Sequence, residues 1–249
     1  RLLLLGSDVS SKYTRRGPAE YAKIASYIKK TAEAKQGNYM AFFPSYKMME
    51  EVYWEFLALP DFGAGSISQE NISFNRQEDT IPKSRDDGQA AGDLAAGGQW
   101  IRIDSICQQP GMKEEEREAF LEEFSVERSR DREGSFVAFC VMGGIFGEGI
   151  DLKNEQLIGA IIVGTGLPQI SNEREILMNY YEKRSGEGFD YAYRYPGMNK
   201  VLQAAGRVIR TVEDIGVIEL LDERFLQSDY RSLFPREWEK RSVCRIDTV

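Results

Sequence analysis

The run Tyr39-Met40-Ala41-Phe42-Phe43-Pro44-Ser45-Tyr46 decides the fold of this chain. Residues 39–43 carry no charge and read as a buried strand. Pro44-Ser45 interrupts it, and Met48, Met49, Val52, Tyr53 and Phe56 then recur at helical spacing. The same alternation extends in both directions. Upstream, residues 2–5 read as a short buried strand. Pro18 opens a helix with Tyr21, Ile24, Ala25 and Ile28 on its inner face, and Gly37 closes it. Downstream, residues 101–107 resume strand character. A strongly charged helix over 112–124 turns Phe120, Leu121 and Phe124 inward, and strands follow at 136–142, 157–163 and 216–221. Strands alternating with helices predict an α/β domain with a mostly parallel sheet. Residues 63–98 break the pattern. They are rich in Ser, Gly, Asp, Asn and Gln, and they read as a long loop or flexible insertion.

Composition narrows the chemistry. The chain has 249 residues, 42% hydrophobic and 29% charged, which suits one large globular domain or two small ones. Its apolar runs are far too short to cross a bilayer, so no membrane partner is expected. It contains no histidine, which removes imidazole from acid–base chemistry and from metal ligation. Three widely spaced cysteines argue for buried thiols in a reducing compartment rather than a disulfide frame or a metal site. The net charge of −8 means that any nucleic-acid contact must come from local basic patches. The chain opens on Arg1 and runs at once into a strand-like segment, as an excised piece of something longer would.

Ligands of parallel sheets gather at the carboxyl ends of the strands, and three candidate motifs are expected there. Ser45 and Tyr46 begin a helix, so Ser45 serves either as a plain N-cap or as part of a phosphate site. Residues 143–151, Gly-Gly-Ile-Phe-Gly-Glu-Gly-Ile-Asp, bring four glycines together after a buried strand. Their amides could approach an anion, and Glu148 and Asp151 could accept hydrogen bonds. Gly164-Thr165-Gly166 invites a dinucleotide reading, but Gln169 stands where the third glycine belongs and Pro168 would interrupt the helix. The basic-aromatic run Lys12-Tyr13-Thr14-Arg15-Arg16 suits either a nucleic-acid strand or a solvated loop. The charged run 114–118 reads as a solvated helix face.

A further helix is expected over Gln203-Ala204-Ala205-Gly206-Arg207-Val208-Ile209-Arg210. Gln203, Gly206, Arg207 and Arg210 fall on one face, while Leu202, Ala205 and Ile209 fall on the other. Two guanidinium forks on one stripe suit a phosphate or a carboxylate, and the glycine leaves room for it.

Taken together, these segments resemble the second motor domain of superfamily 2 helicases, in the branch containing DinG and the xeroderma pigmentosum group D helicase. Phe42-Phe43-Pro44-Ser45-Tyr46 is similar to helicase motif IV, and residues 144–151 to motif V. Residues 203–210 are similar to motif VI, with its Q-x-x-G-R-x-x-R spacing. Asp190-Tyr191-Ala192-Tyr193 and Leu221-Asp222-Glu223-Arg224-Phe225 also match DinG-like proteins. The resemblance covers residues 1–249 apart from the 63–98 insertion. It implies a RecA-like, three-layer α/β domain whose partner, the first RecA-like domain, is absent from this chain.

By that resemblance ATP with magnesium would be bound mainly by the first domain. Arg207 and Arg210 would act as arginine fingers with Gln203 beside them, and Glu148, Gly149 and Asp151 would lie at the nucleotide cleft. Ser45, Tyr46 and Gly144 would meet single-stranded DNA on the opposite surface. No phosphate-loop lysine, D-E-A-H box or iron–sulfur cysteine cluster occurs in the chain, so it is expected to hold half of each site. Two other readings compete: a non-catalytic module that binds single-stranded nucleic acid or a protein, and a dinucleotide enzyme built on Gly164 and Gly166.

Overall fold

In the computed structural model the chain is described over residues 2–59, 101–125, 134–146, 152, 156–208 and 215–248. The uncharged run forms strand β2 (Asn38–Phe43), in which every residue is buried. Around it lie β1 (Leu2–Gly6), β3 (Ile103–Cys107), β4 (Ser135–Val141), β5 (Gly159–Val163), β6 (Val217–Leu221) and β7 (Ser242–Cys244). They join in one seven-stranded sheet of order β3-β4-β2-β5-β6-β1-β7. Every pairing is parallel, so all seven strands end at the same edge.

A sheet buried on both faces must be apolar on both, and the side chains of β2 alternate accordingly. Met40 and Phe42 join one core with Ala138, Cys140 and Ile162. Helices α3 (Glu114–Glu122) and α5 (Tyr195–Ala205) close that side with Phe120, Met198 and Val201. Tyr39, Ala41 and Phe43 join the other core, under α1 (Pro18–Ala34) and α2 (Tyr46–Ala58). Phe139 anchors this second core: its ring stacks on Phe43 at 5.7 Å and meets Tyr53 and Phe56 at 4.9 and 5.1 Å. Each aromatic ring removed from water there stabilises the fold by roughly 1.5–3 kcal/mol. The result is the three-layer RecA-like arrangement, with a fully parallel sheet where a mostly parallel one was expected.

Five local features depart from the sequence reading. The helix before motif VI stops at Ala205, so Arg207 is not on a helix. The amides of Gly206, Arg207 and Val208 bond Leu202, Ala204 and Ala205, so the chain tightens from i−4 to i−3 bonding. Gly206 followed by the β-branched Val208 and Ile209 explains the stop, since all three are poor helix formers. A helix the sequence did not reveal, α4 (Asn172–Ser185), buries none of its residues, so it lacks the apolar stripe by which helices are recognised. Its legible signals are terminal: the Ser171 cap, and Gly186 in the left-handed region at φ 72°. The aromatic run that no period assigned forms a π-helical turn, Asp190–Arg194, leading into α5. The three-residue edge strand β7 was also unforeseen, and the first helix ends at Ala34, three residues before Gly37.

Candidate functional site

At the carboxyl edge of the sheet, Ser45 caps α2, its hydroxyl accepting from the amide of Met48 at 3.3 Å. The plain N-cap reading therefore describes the serine, and its own hydroxyl hydrogen can still donate outward. Tyr46 follows, half-buried, its phenol pushed above the ordinary range first by burial and then by the neighbouring Cys140.

The side chain that sets Tyr46 is one the sequence reading missed, Gln108. It is buried at the end of β3. Its Oε1 accepts from the amide of Val141 at 2.9 Å, and its Nε2 donates to the Tyr46 hydroxyl at 2.9 Å. The signal was available. Gln108 is the polar residue that directly follows strand β3, as Ser45 is the polar residue just after the Phe43-Pro44 end of β2.

The glycine loop begins beside them. Residues 141–144 make a tight turn in which the amide of Gly144 donates to the carbonyl of Val141 at 3.1 Å and Gly143 takes a φ of 67°. The Gly144 amide is thus committed to the turn. What Gly144 offers is close approach, because a side chain there would press on the Gln108 amide. On the exposed side of the turn, the Lys200 methylenes of α5 lie about 3.4 Å from where a β-carbon on Gly143 would sit.

Arg207 lies at the other end of the sheet, beside Val208, with Gln203 a turn back along α5. Helix α5 runs antiparallel to the strands. Its start at Gly197 presses on Gly166 past the end of β5, whereas Val208, just beyond its far end, packs against Gly216 before the start of β6. Gln203 and Gly206 are exposed, and Arg207 is half-buried in the turn. Gly206 keeps an ordinary right-handed φ of −66°, so its function there is to leave the exposed stripe without a side chain. The chain between β4 and β5 starts at the carboxyl edge and returns to the amino edge, where the amide of Ile158 bonds the carbonyl of Asn38. Glu148, Gly149, Asp151 and Arg210 lie outside the described residues, as does the 63–98 insertion.

The Gly164-Thr165-Gly166 turn is occupied by packing. Gly164 at φ 81° faces Ser11, and Gly166 at φ 67° lies on the backbone of Gly197. A β-carbon on Gly164 would collide with Ser11 Oγ. Gly164→Ala is expected to cost about 2–4 kcal/mol, the sum of left-handed strain and overpacking, seen as a lower denaturant midpoint with an unchanged m-value.

Ser11 in turn joins a buried network. Its amide and hydroxyl both donate to Asp222 at 2.8 Å, and Arg224 Nη2 donates to Ser11 Oγ at 2.7 Å. Burial pushes the Asp222 carboxyl up, but the hydrogen bonds and charge of Arg224 outweigh it and hold the group below its ordinary range. Within the loop, Lys12 pairs with Glu223 at 2.9 Å and Arg15 with Glu20 at 3.0 Å. The cations of this basic run are therefore largely balanced by the protein's own carboxylates. The three cysteines are free thiols, and burial pushes Cys107 up to about 12. Among the described residues no helix is long and apolar enough to cross a membrane, and no group of three acidic or thiol side chains gathers to hold a metal.

A family profile described as the helicase C-terminal domain matches residues 28–241. The chain is 24% identical over 244 residues to the ATP-dependent DNA helicase XPD of Sulfolobus acidocaldarius, covering 96% of this chain and 33% of that protein. It is 25% identical over 253 residues to the regulator of telomere elongation helicase 1 of Bos taurus, covering 98% of this chain and 18% of that protein. A solved XPD helicase structure superposes on 98% of the chain with a TM-score of 0.63 at 21% identity, and the chain covers 35% of it. The chain thus spans about a third or less of the length of these curated relatives.

Proposed function

The chain belongs to the helicase C-terminal domain family, and from that premise we propose that it is the second motor domain of an ATP-dependent DNA helicase of the XPD and DinG branch. The observation that carries this reading is the division of its motifs between the two ends of one parallel sheet. The turn that carries Arg207 lies at the amino edge, beside Val208, with Gln203 a turn back along α5. Ser45, Tyr46 and the 143–144 turn lie at the carboxyl edge. A motor domain needs two such faces, one toward nucleotide and one toward the strand it moves along.

In this reading Arg207 and Arg210 reach the triphosphate held by the first RecA-like domain and stabilise charge on the transferring phosphoryl group, with Gln203 alongside. Glu148, Gly149 and Asp151 line the same cleft. Magnesium would be held by carboxylates of the first domain and would neutralise the phosphates there. Because the chain has no phosphate loop of its own, the purified chain is expected to show no ATP turnover, with or without single-stranded DNA. Turnover that disappears on Arg207→Ala in the isolated chain would overturn the proposal. The alternative, a module that binds nucleic acid without a motor cycle, needs only positive charge. It predicts that Arg207→Lys and Arg210→Lys leave function intact.

A further inference from the structure

Gln108 is bound on both sides, and the chemistry of an amide fixes which side is which. Only the oxygen of a glutamine amide accepts, and here it accepts from the Val141 amide at 2.9 Å, within the fold's own backbone. The nitrogen must then face Tyr46, 2.9 Å away, and it can only donate. Tyr46 Oη is therefore an acceptor toward the protein interior, and its own hydroxyl hydrogen is left to donate elsewhere. The amide cannot flip without placing two N–H groups against each other at Val141. Gln108 is 1% exposed, so water does not compete for these bonds. The same Gln108 amide lies against Gly144 of the 141–144 turn, whose Gly143 is exposed and has Lys200 against it. Among the described residues Lys200 makes no ion pair.

We propose that Tyr46 and Lys200 grip the phosphate backbone of a single strand at the 141–144 turn, and that Gln108 is the positioning residue that turns the Tyr46 proton outward to it. This rests on the reading of the carboxyl edge as a DNA face. It adds two residues to that face and a direction to a third. Tyr46 supplies a directional hydrogen bond to a phosphate oxygen, and Lys200 supplies charge. The two contributions separate by salt, because only the charge releases counterions.

The test is the affinity of the chain for fluorescein-labelled oligothymidylate, measured by anisotropy across a salt series. Tyr46→Phe is expected to weaken binding by about ten- to hundredfold, the size of one hydrogen bond to a charged group, with the salt slope unchanged. Gln108→Leu is expected to weaken it similarly, yet to add nothing in the Tyr46→Phe background. Lys200→Gln is expected to lower the salt slope by about 0.7, the value for one phosphate on a single strand. If Gln108→Leu does not fold, Gln108→Glu carries the same test. It keeps an acceptor for Val141 but draws the Tyr46 proton inward, so its penalty must shrink when Tyr46 is phenylalanine. Fully additive losses for Gln108 and Tyr46 overturn the positioning role, and an unchanged slope overturns that of Lys200. If the unaltered chain binds no oligothymidylate even at low salt, the DNA face itself is refuted, and this inference falls with it.

Discussion

Arg207→Ala is expected to lower ATP turnover of the two-domain protein by a factor on the order of 10³–10⁵, the contribution of an arginine finger in phosphoryl transfer. The reason lies in how charge develops. The γ-phosphoryl group spreads negative charge over its equatorial oxygens as it transfers, and a fixed guanidinium stabilises that charge without reorganisation. Arg207 is suited to this by being half-buried at the end of a core-packed helix rather than free on a flexible arm. The measurement is steady-state hydrolysis by the chain joined to its first motor domain, with single-stranded DNA saturating. Arg207→Lys separates the readings: a finger loses most of its effect, because an ammonium cannot make the bidentate fork, whereas a merely cationic surface would tolerate the change. Nucleotide affinity falling while turnover stays within a fewfold of the unaltered protein would end the finger assignment.

The second large effect concerns stability and arises from Glu219, a carboxyl in the middle of a central strand. It is fully buried on β6, on the side facing α1. Thr31 Oγ1 donates to its Oε2 at 2.9 Å, and its other oxygen has no hydrogen-bond partner among the described residues. Tyr27, Tyr39 and Cys244 are its titratable neighbours, and burial pushes all three of their own groups up. Burial also pushes the Glu219 carboxyl from 4.5 to about 8, with the Thr31 hydrogen bond opposing, so the group is largely neutral in the fold at pH 7.

A carboxyl raised in this way binds its proton more tightly folded than unfolded. Its contribution is fully present below pH 4.5 and is lost as pH rises toward 8, at about 1.4 kcal/mol per pH unit across that window. Glu219→Gln, which cannot ionise, is expected to remove this slope. Unfolding free energies of the two proteins from denaturant titrations should converge near pH 5 and separate by several kcal/mol at pH 9, with the variant more stable at high pH. Parallel curves from pH 5 to 9 would show that Glu219 does not titrate in the fold.

How much of this was legible beforehand depended on the range of the interaction concerned. Strand β2 and helix α2 were readable because burial on two faces, or on one stripe, imprints a period on neighbouring residues. Helix α4 was not readable, since it buries nothing, and the sequence reading therefore placed no helix directly after the Gly164–Gly166 turn. The spacing of Gln203, Gly206 and Arg207 predicted one helical stripe, and the structure ends the helix at Ala205, short of Arg207. The motif spacing survives a change from i−4 to i−3 bonding, and so does not report it. Gly164 and Gly166 show the opposite case. Their spacing suggested a ligand, and the fold spends both on contacts with Ser11 and Gly197.

By itself, then, the order of residues determined the class of fold, the two-faced burial of its strands and the family to which the motifs belong, because each of these is written in near neighbours. Only the tertiary structure decided that Ser45 and Arg207 lie at opposite ends of one sheet, that Gln108 aims Tyr46, and that Ser11 meets Asp222 across 211 residues. Those relations depend on which distant strands pair and in what order. That choice is made by the packing of the whole core, and no local period carries it.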